Sequence, residues 1–407
     1  MISDYFKFSI KTFRSRKLRT GLTILGIFIG IAAVVSLISL SQGMQSAIDD
    51  QFQKLGTNRI TITPGGGGFG GPEASGLVAD KLTDHDVEVV RRVKGVDYAI
   101  GVMLKTARVE YDGKSRFTAV FASSTDPKSV RFIESIDFFA LETGKYPKPA
   151  EKYKAAIGQK MGINLFDRDI KMGEQITIEG QKFDVVAITK ISGNPLHDTK
   201  VAIPLDTARD IFDAPDELSM IFVEVSQGFL PADVADNIEA AMRRDHKVKE
   251  GEEDFSVQTS EQLISSAKSM LGIVQVFLIG ISLISLIVGG VGIMNTMYTS
   301  VLERTKEIGI MKAIGARNSD IMSMFLIESG TLGVIGGVIG VVMGYAIGKT
   351  AELIAISSGV TILRVNYSFE LILGAMIFSF LIGAISGTFP AIEASRKNPV
   401  DSLRYRR

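Results

Sequence analysis

Few residues of this 407-residue chain are suited to chemistry, and they are scattered. There is no cysteine, and the three histidines, His85, His197 and His246, stand far apart. A disulfide framework and a thiolate metal centre are excluded, and a histidine-rich metal site is not expected. Gly66, Gly68 and Gly71 have the spacing G-x-G-x-x-G, but Pro72 and a polar run follow where a helix should begin, so this reads as a flexible loop. The stretch GYAIGKT fails as a Walker loop, because three residues rather than four separate Gly344 from Gly348 and the stretch lies within an apolar run. No nucleophile–base pair or paired acids can be assembled elsewhere. The chain is expected to be non-catalytic, with no cofactor and no metal of its own.

One stretch remains that could do something specific. Between two apolar runs, Met294 to Gly330 holds Glu303, Arg304, Lys306, Glu307, Lys312 and Arg317, interleaved with Ile308, Ile310, Met311 and Ile314. This is about twenty residues of helical pattern where a turn needs only a few. Such a segment suits a docking helix, with Met and Ile supplying buried contacts and charges setting register at the rim. The alternative is a solvated amphipathic helix resting on lipid headgroups.

The elements around it are membrane helices. The composition is 46% hydrophobic yet 22% charged, with a formal net charge of zero, so a large part must lie in water and a nucleic-acid partner is not expected. Residues 1–19 place Ile2, Phe6, Ile10 and Phe13 on one helical face with basic residues opposite, the pattern of a helix lying on the membrane surface. Spans are predicted at 20–42, 269–300, 321–348 and 369–390, the last ended by Pro390. The charged helix occupies 301–320, an outer loop 349–368 and a basic tail 391–407. With four spans both termini share a side, and the basic residues at each end place that side in the cytoplasm. The protein is thus expected to be multi-pass in the cell membrane, its large domain outside.

The third span carries Gly333, Gly336, Gly337, Gly340 and Gly344 at small-xxx-small spacings. These read as a helix-packing seam, within one chain or across a dimer, as against a merely flexible helix. Glu328 is the one acid well inside a span. It fits either a polar interior site or a position at headgroup level.

Residues 43–268 form the outer domain. Strand-like runs turned at Asp112-Gly113 and Glu179-Gly180 alternate with helical segments, one of them opened by Thr83 as N-cap and closed at Gly95. The predicted fold is an α-helical membrane protein with four transmembrane helices and a large extracytoplasmic α/β (α+β) domain between the first and second. That domain reads as two α/β halves with a β-rich insert near 137–200.

ERTKEIGIMKAIGARNSDIMSMFLIES resembles the signature of the FtsX-like (MacB-type) permease family of ABC transporters, the type VII architecture. RSRKLRTGLTILGIFIGIAAVVSLISLSQGM is similar to that family's first span and PAIEASRKNPVDSLR to its C-terminal end. LGTNRITITPG and AAIGQKMGINLF fit its outer core domain. The resemblance implies a homodimer that works with separate ATPase subunits, on which ATP and Mg would reside. It implies that Glu303, Arg304, Lys306, Glu307, Met311, Ile314 and Arg317 form the coupling helix that docks on the ATPase. It also implies mechanotransmission, in which ATPase motion passes through the membrane to the outer domain, with a periplasmic adaptor or cell-wall protein as a further partner. Two activities then stay open. One is export or extraction of an amphiphilic cargo such as an antimicrobial peptide, a macrolide-like drug or a lipoprotein. The other is FtsX-like signalling that activates a cell-wall hydrolase without transport.

Overall fold

The computed structural model of the chain describes residues 17–56, 58–65, 81–361 and 363–404. The surface helix expected at 1–19 and the glycine loop beyond Gly65 fall outside the described residues, apart from residues 17–19. The chain divides into two compact units. One comprises Gln45–Met270 with Ala355–Leu363, and the other Met1–Met44, Leu271–Ile354 and Arg364–Arg407.

Helix α1 (Lys17–Leu55) leads into β1 (Arg59–Pro64), α2 (Asp84–Arg91) and the hairpin β2 (Val96–Tyr111) and β3 (Lys114–Ser123). The hairpin turns at Asp112 and Gly113, both with positive φ (50° and 73°), the backbone that a tight two-residue turn demands. Thr83 opens α2, and the Asp86 carboxylate accepts from its backbone N–H at 2.7 Å. Then come α3 (Pro127–Glu134), β4 (Leu141–Gly144), β5 (Lys154–Gly158), α4 (Met161–Phe166), β6 (Gln175–Ile178) and β7 (Gln181–Thr189). The order continues α5 (Pro195–Asp198), β8 (Val201–Pro204), α6 (Leu205–Phe212), β9 (Met220–Val225), α7 (Pro231–His246) and β10 (Phe255–Thr259).

The ten strands among the described residues belong to one sheet, in the order β10-β1-β9-β2-β3-β8-β5-β7-β4, with β6 pairing β2 and β7. The strands of the β-rich insert expected near 137–200 therefore lie in the same sheet as those of the two α/β halves. The cause is the length of β2, whose 16 residues pair with β9 at one end and reach β6 at Val109 and Glu110. Strand β3 then runs parallel to β8, Val120–Ser123 against Val201–Pro204, so the strands of 141–189 extend the same sheet. Both faces are covered. Ile60, Met103, Val223, Ile238 and Met242 pack on one side, and Ile100, Phe121, Phe132 and Phe222 on the other.

The second unit is helical. Among the described residues, four helices are long and apolar enough to cross a membrane: α1, α8 (Ser260–Glu303), α10 (Asn318–Ser357) and α11 (Phe369–Arg396). Between α8 and α10 lies α9 (Thr305–Ala313), and α12 (Pro399–Arg404) follows α11. The helices outrun the predicted spans. Helix α8 begins nine residues before the predicted 269, and α10 continues through the start of the expected outer loop, where Lys349 pairs with Glu352 at 2.8 Å. Pro390 lies inside α11 rather than ending it. It is buried, and packing of the flanking Ala391 and Ala394 in the helical core holds the backbone helical despite the missing N–H.

The glycine seam is internal to the chain. A Cβ at Gly336, Gly340 or Gly344 would lie within about 3 Å of Ile27, Ile31 or the Ala32–Val35 segment of α1. One at Gly333 or Gly337 would meet Ser379 of α11 at 2.2 Å. These five glycines let helices of a single chain approach closely, and they are buried rather than presented to a second copy.

Candidate coupling site

Arg304 interrupts the helix between α8 and α9, with φ −101° and ψ 12°. The chain nonetheless stays tightly turned, since Thr305 donates its hydroxyl to the Val301 carbonyl at 3.0 Å and the Leu302 carbonyl at 2.8 Å. Helix α9 ends on Gly315, whose φ of +102° only glycine adopts readily. The Ala316 N–H bonds the Met311 carbonyl and the Gly315 N–H the Lys312 carbonyl, the paired closure of a Schellman motif. Asp320 then accepts from the Arg317 N–H at 3.0 Å and starts α10. The segment is therefore a closed, hydrogen-bonded corner and not a loose loop.

Two further contacts fix how α9 is rolled. Lys312 donates Nζ to the carbonyls of Ser395 (2.6 Å) and Lys397 (2.9 Å), placing a cation on the C-terminal end of α11. Gly309 packs on Ser402 of α12, where a Cβ would sit 2.7 Å from the serine Cβ. Ile308 is fully buried between these anchors.

With that roll, the expected coupling residues separate into two faces. Glu303, Lys306, Glu307, Ile314 and Arg317 are exposed. Arg304 and Met311 are not part of this face, contrary to expectation. Met311 packs against the helical core, and Arg304 turns inward to Glu328, Nη1 to Oε2 at 3.1 Å, with Glu307 at 3.8 Å. Glu328 is buried and ion-paired with Arg304. Ile310, 47% exposed, takes the place given to Met311. Ile314 is 82% exposed. Lys306 and Ile310 lie one helical turn apart on α9, with exposed Ile314 at its C-cap, a signal present in the sequence but masked by the many isoleucines around it.

The sequence comparisons agree with this architecture over nearly the whole chain. Residues 20–241 match the family described as MacB-like periplasmic core domain, and residues 279–399 match the FtsX-like permease C-terminal domain. The chain is an ABC transporter permease of the MacB/FtsX type. An uncharacterized ABC transporter permease of Methanocaldococcus jannaschii is 38% identical over 99% of this permease and 98% of its own length. The macrolide export ATP-binding/permease proteins MacB of Bdellovibrio bacteriovorus and Chlorobium phaeobacteroides are 30% and 34% identical. This permease spans 60% and 59% of those two proteins. Among solved structures, the periplasmic region of MacB from Actinobacillus actinomycetemcomitans covers 53% of this chain and 95% of its own, with 14% identity and a TM-score of 0.43. The permease is accordingly a membrane protein with a large extracytoplasmic α/β domain between its first and second apolar helices.

Proposed function

We propose that this permease receives force from a separate ABC ATPase at the exposed face of α9 and transmits it to its outer domain. The observation that carries this reading is the exposed pair Ile310 and Ile314, on α9 and at its C-cap, with exposed Lys306, Glu307 and Arg317 in the same corner, which Lys312 and Gly309 anchor to α11 and α12. Two exposed isoleucines suit the apolar centre of an interface, and the mixed charges suit its rim. Helix α8 supplies the transmission. Its 44 residues span about 66 Å, twice a bilayer core of about 30 Å, and its first eleven belong to the α/β unit. The basic terminal segments favour a cytoplasmic side for both ends and for α9, with ATP and Mg held by the partner. Lipid would cover the apolar residues that α8 and α11 expose, such as Phe277, Ile284 and Ile385. Two copies acting together, with a periplasmic adaptor or cell-wall partner beyond them, complete the assembly.

The cargo we favour is an amphiphile, in line with the names of the macrolide-export relatives. The experiment is reconstitution with the cognate ATPase. Ile310→Asp with Ile314→Asp should abolish co-purification and ATPase stimulation; unchanged stimulation overturns the reading. Crosslinking of the outer domain in native membranes then tests the activity. Capture of a small amphiphile or lipoprotein supports export, whereas a cell-wall hydrolase assigns the motion to signalling.

A further inference from the structure

Strands β3 and β8 are parallel neighbours, and their C-terminal ends lie side by side, Ser123 against Pro204. The chain leaves those ends in opposite directions. Helix α3, after β3, packs Phe132 and Ile133 on one face of the sheet. Helix α6, after β8, packs Leu205 and Ala208 on the other. Connections that part in this way open a crevice beyond the strand ends, the place where open α/β sheets bind their ligands. Here the crevice is a cavity of about 410 Å³. Ser124, Thr125 and Asp126 line it from the exit of β3, and Leu205, Asp206 and Arg209 from the exit of β8. Helix α2 completes the wall with Asp84, Glu88 and Arg91.

We propose that this cavity binds a small organic amine in its ammonium form. Its volume falls within the roughly 300–1,000 Å³ of small-molecule sites and is far more than a single metal ion needs. Val87, Ile100, Leu205 and Pro149 give it apolar wall for the carbon body of a ligand. The charges select the sign. Carboxylates outnumber guanidiniums in the wall by four to two, which disfavours an anion. Both guanidiniums are already engaged, Arg209 with Asp84 at 2.8 Å and Arg91 with Glu88 at 2.9 Å. Asp126 and Asp206, one from each exit, are left without a cation among the described residues. Asp126 is held in place by the Lys128 and Ser129 N–H groups at 3.0 and 3.1 Å, as the cap of α3. Asp206, in the first turn of α6, has no hydrogen bond or ion pair among the described residues. An ammonium between the two would balance both. The wall also holds one orphan donor. Arg209 Nε is buried with no hydrogen-bond partner, and a hydroxyl or carbonyl oxygen on the ligand would satisfy it. The cavity is built from the outer domain alone, so the proposal stands apart from the docking of an ATPase on α9.

The test uses the full-length permease in lipid nanodiscs without the ATPase. The probe is 4-phenylbutylamine, with 4-phenylbutanol and 4-phenylbutyrate as its neutral and anionic counterparts, and binding is followed by titration calorimetry. The amine should bind saturably at one site per chain, about tenfold or more tighter than the alcohol, and the carboxylate should not bind. Asp206→Asn removes an exposed carboxylate without a partner, so its Tm should match wild type while affinity for the amine falls about tenfold. Thr125→Trp fills the crevice and should abolish binding. Partitioning of the amine into lipid is the same for every variant. Equal uptake by wild type and Asp206→Asn, equal affinity for amine and alcohol, or no saturable binding overturns the site.

Discussion

Arg304 donates from Nη1 to Oε2 of Glu328 at 3.1 Å, and this one contact ties the end of α8 to the body of α10. The guanidinium is 13% exposed and the carboxylate 4%, so neither charge is well hydrated. Removing one partner leaves the other buried and uncompensated, which costs roughly 3–5 kcal/mol, whereas exchanging both for apolar side chains costs far less. Thermal unfolding of the purified permease should therefore show Arg304→Met and Glu328→Leu each lowering the Tm more than the double variant does. Additive losses would show that the pair is not a unit.

The glycine seam leads to a steric expectation. A Cβ at Gly340 would lie 2.7 Å from the Ile31 Cβ and 3.0 Å from the Phe28 carbonyl, so Gly340→Ile should force α1 and α10 apart, at about 1–3 kcal/mol or more. Gly280→Ile adds its side chain where nothing lies within 4 Å. Expression level and melting temperature in the same detergent should fall for the first and stay near wild type for the second.

Acid should loosen the outer domain at His197. Burial, and secondarily the nearby Lys200 ammonium, push this imidazole down to about 3 from an ordinary 6.5. The folded state therefore keeps it neutral while the unfolded chain protonates it below pH 6.5. Its contribution to stability is complete above 6.5 and is lost as pH falls towards 3, by roughly 1.4 kcal/mol per unit. Circular-dichroism melts at pH 7.5, 6 and 5 should show a steeper fall in Tm for the wild type than for His197→Gln. Parallel curves would remove His197 from the acid response.

Much of this architecture was legible because it is written in local pattern. The uncharged runs mark the membrane helices, and Asp112-Gly113 and Glu179-Gly180 mark hairpin turns, since their cause lies within a few residues. The single sheet was not legible. Its decisive pairing, Val120 with Val201, joins segments that carry no mark of each other. The coupling helix shows both sides of this divide. Its charges are plain in the sequence, but its roll is set by Lys312 on the Ser395 and Lys397 carbonyls and by Gly309 on Ser402, residues more than eighty positions away. That is why Met311 was expected at the partner surface and Ile310 was not. The meeting of Asp126 and Asp206 at one crevice was equally hidden, for the same reason of distance along the chain.

The central claim is that the exposed face of α9 is where the ATPase binds, and the absence of native cysteine allows a direct test. Single cysteines at Ile310, Ile314 and the exposed outer-domain residue Phe117 would carry a short photo-crosslinker in membranes containing the cognate ATPase. The expected result is an ATPase adduct from positions 310 and 314 and none from 117. An ATPase that is captured from neither α9 position, while still co-purifying with the permease, would contradict the claim.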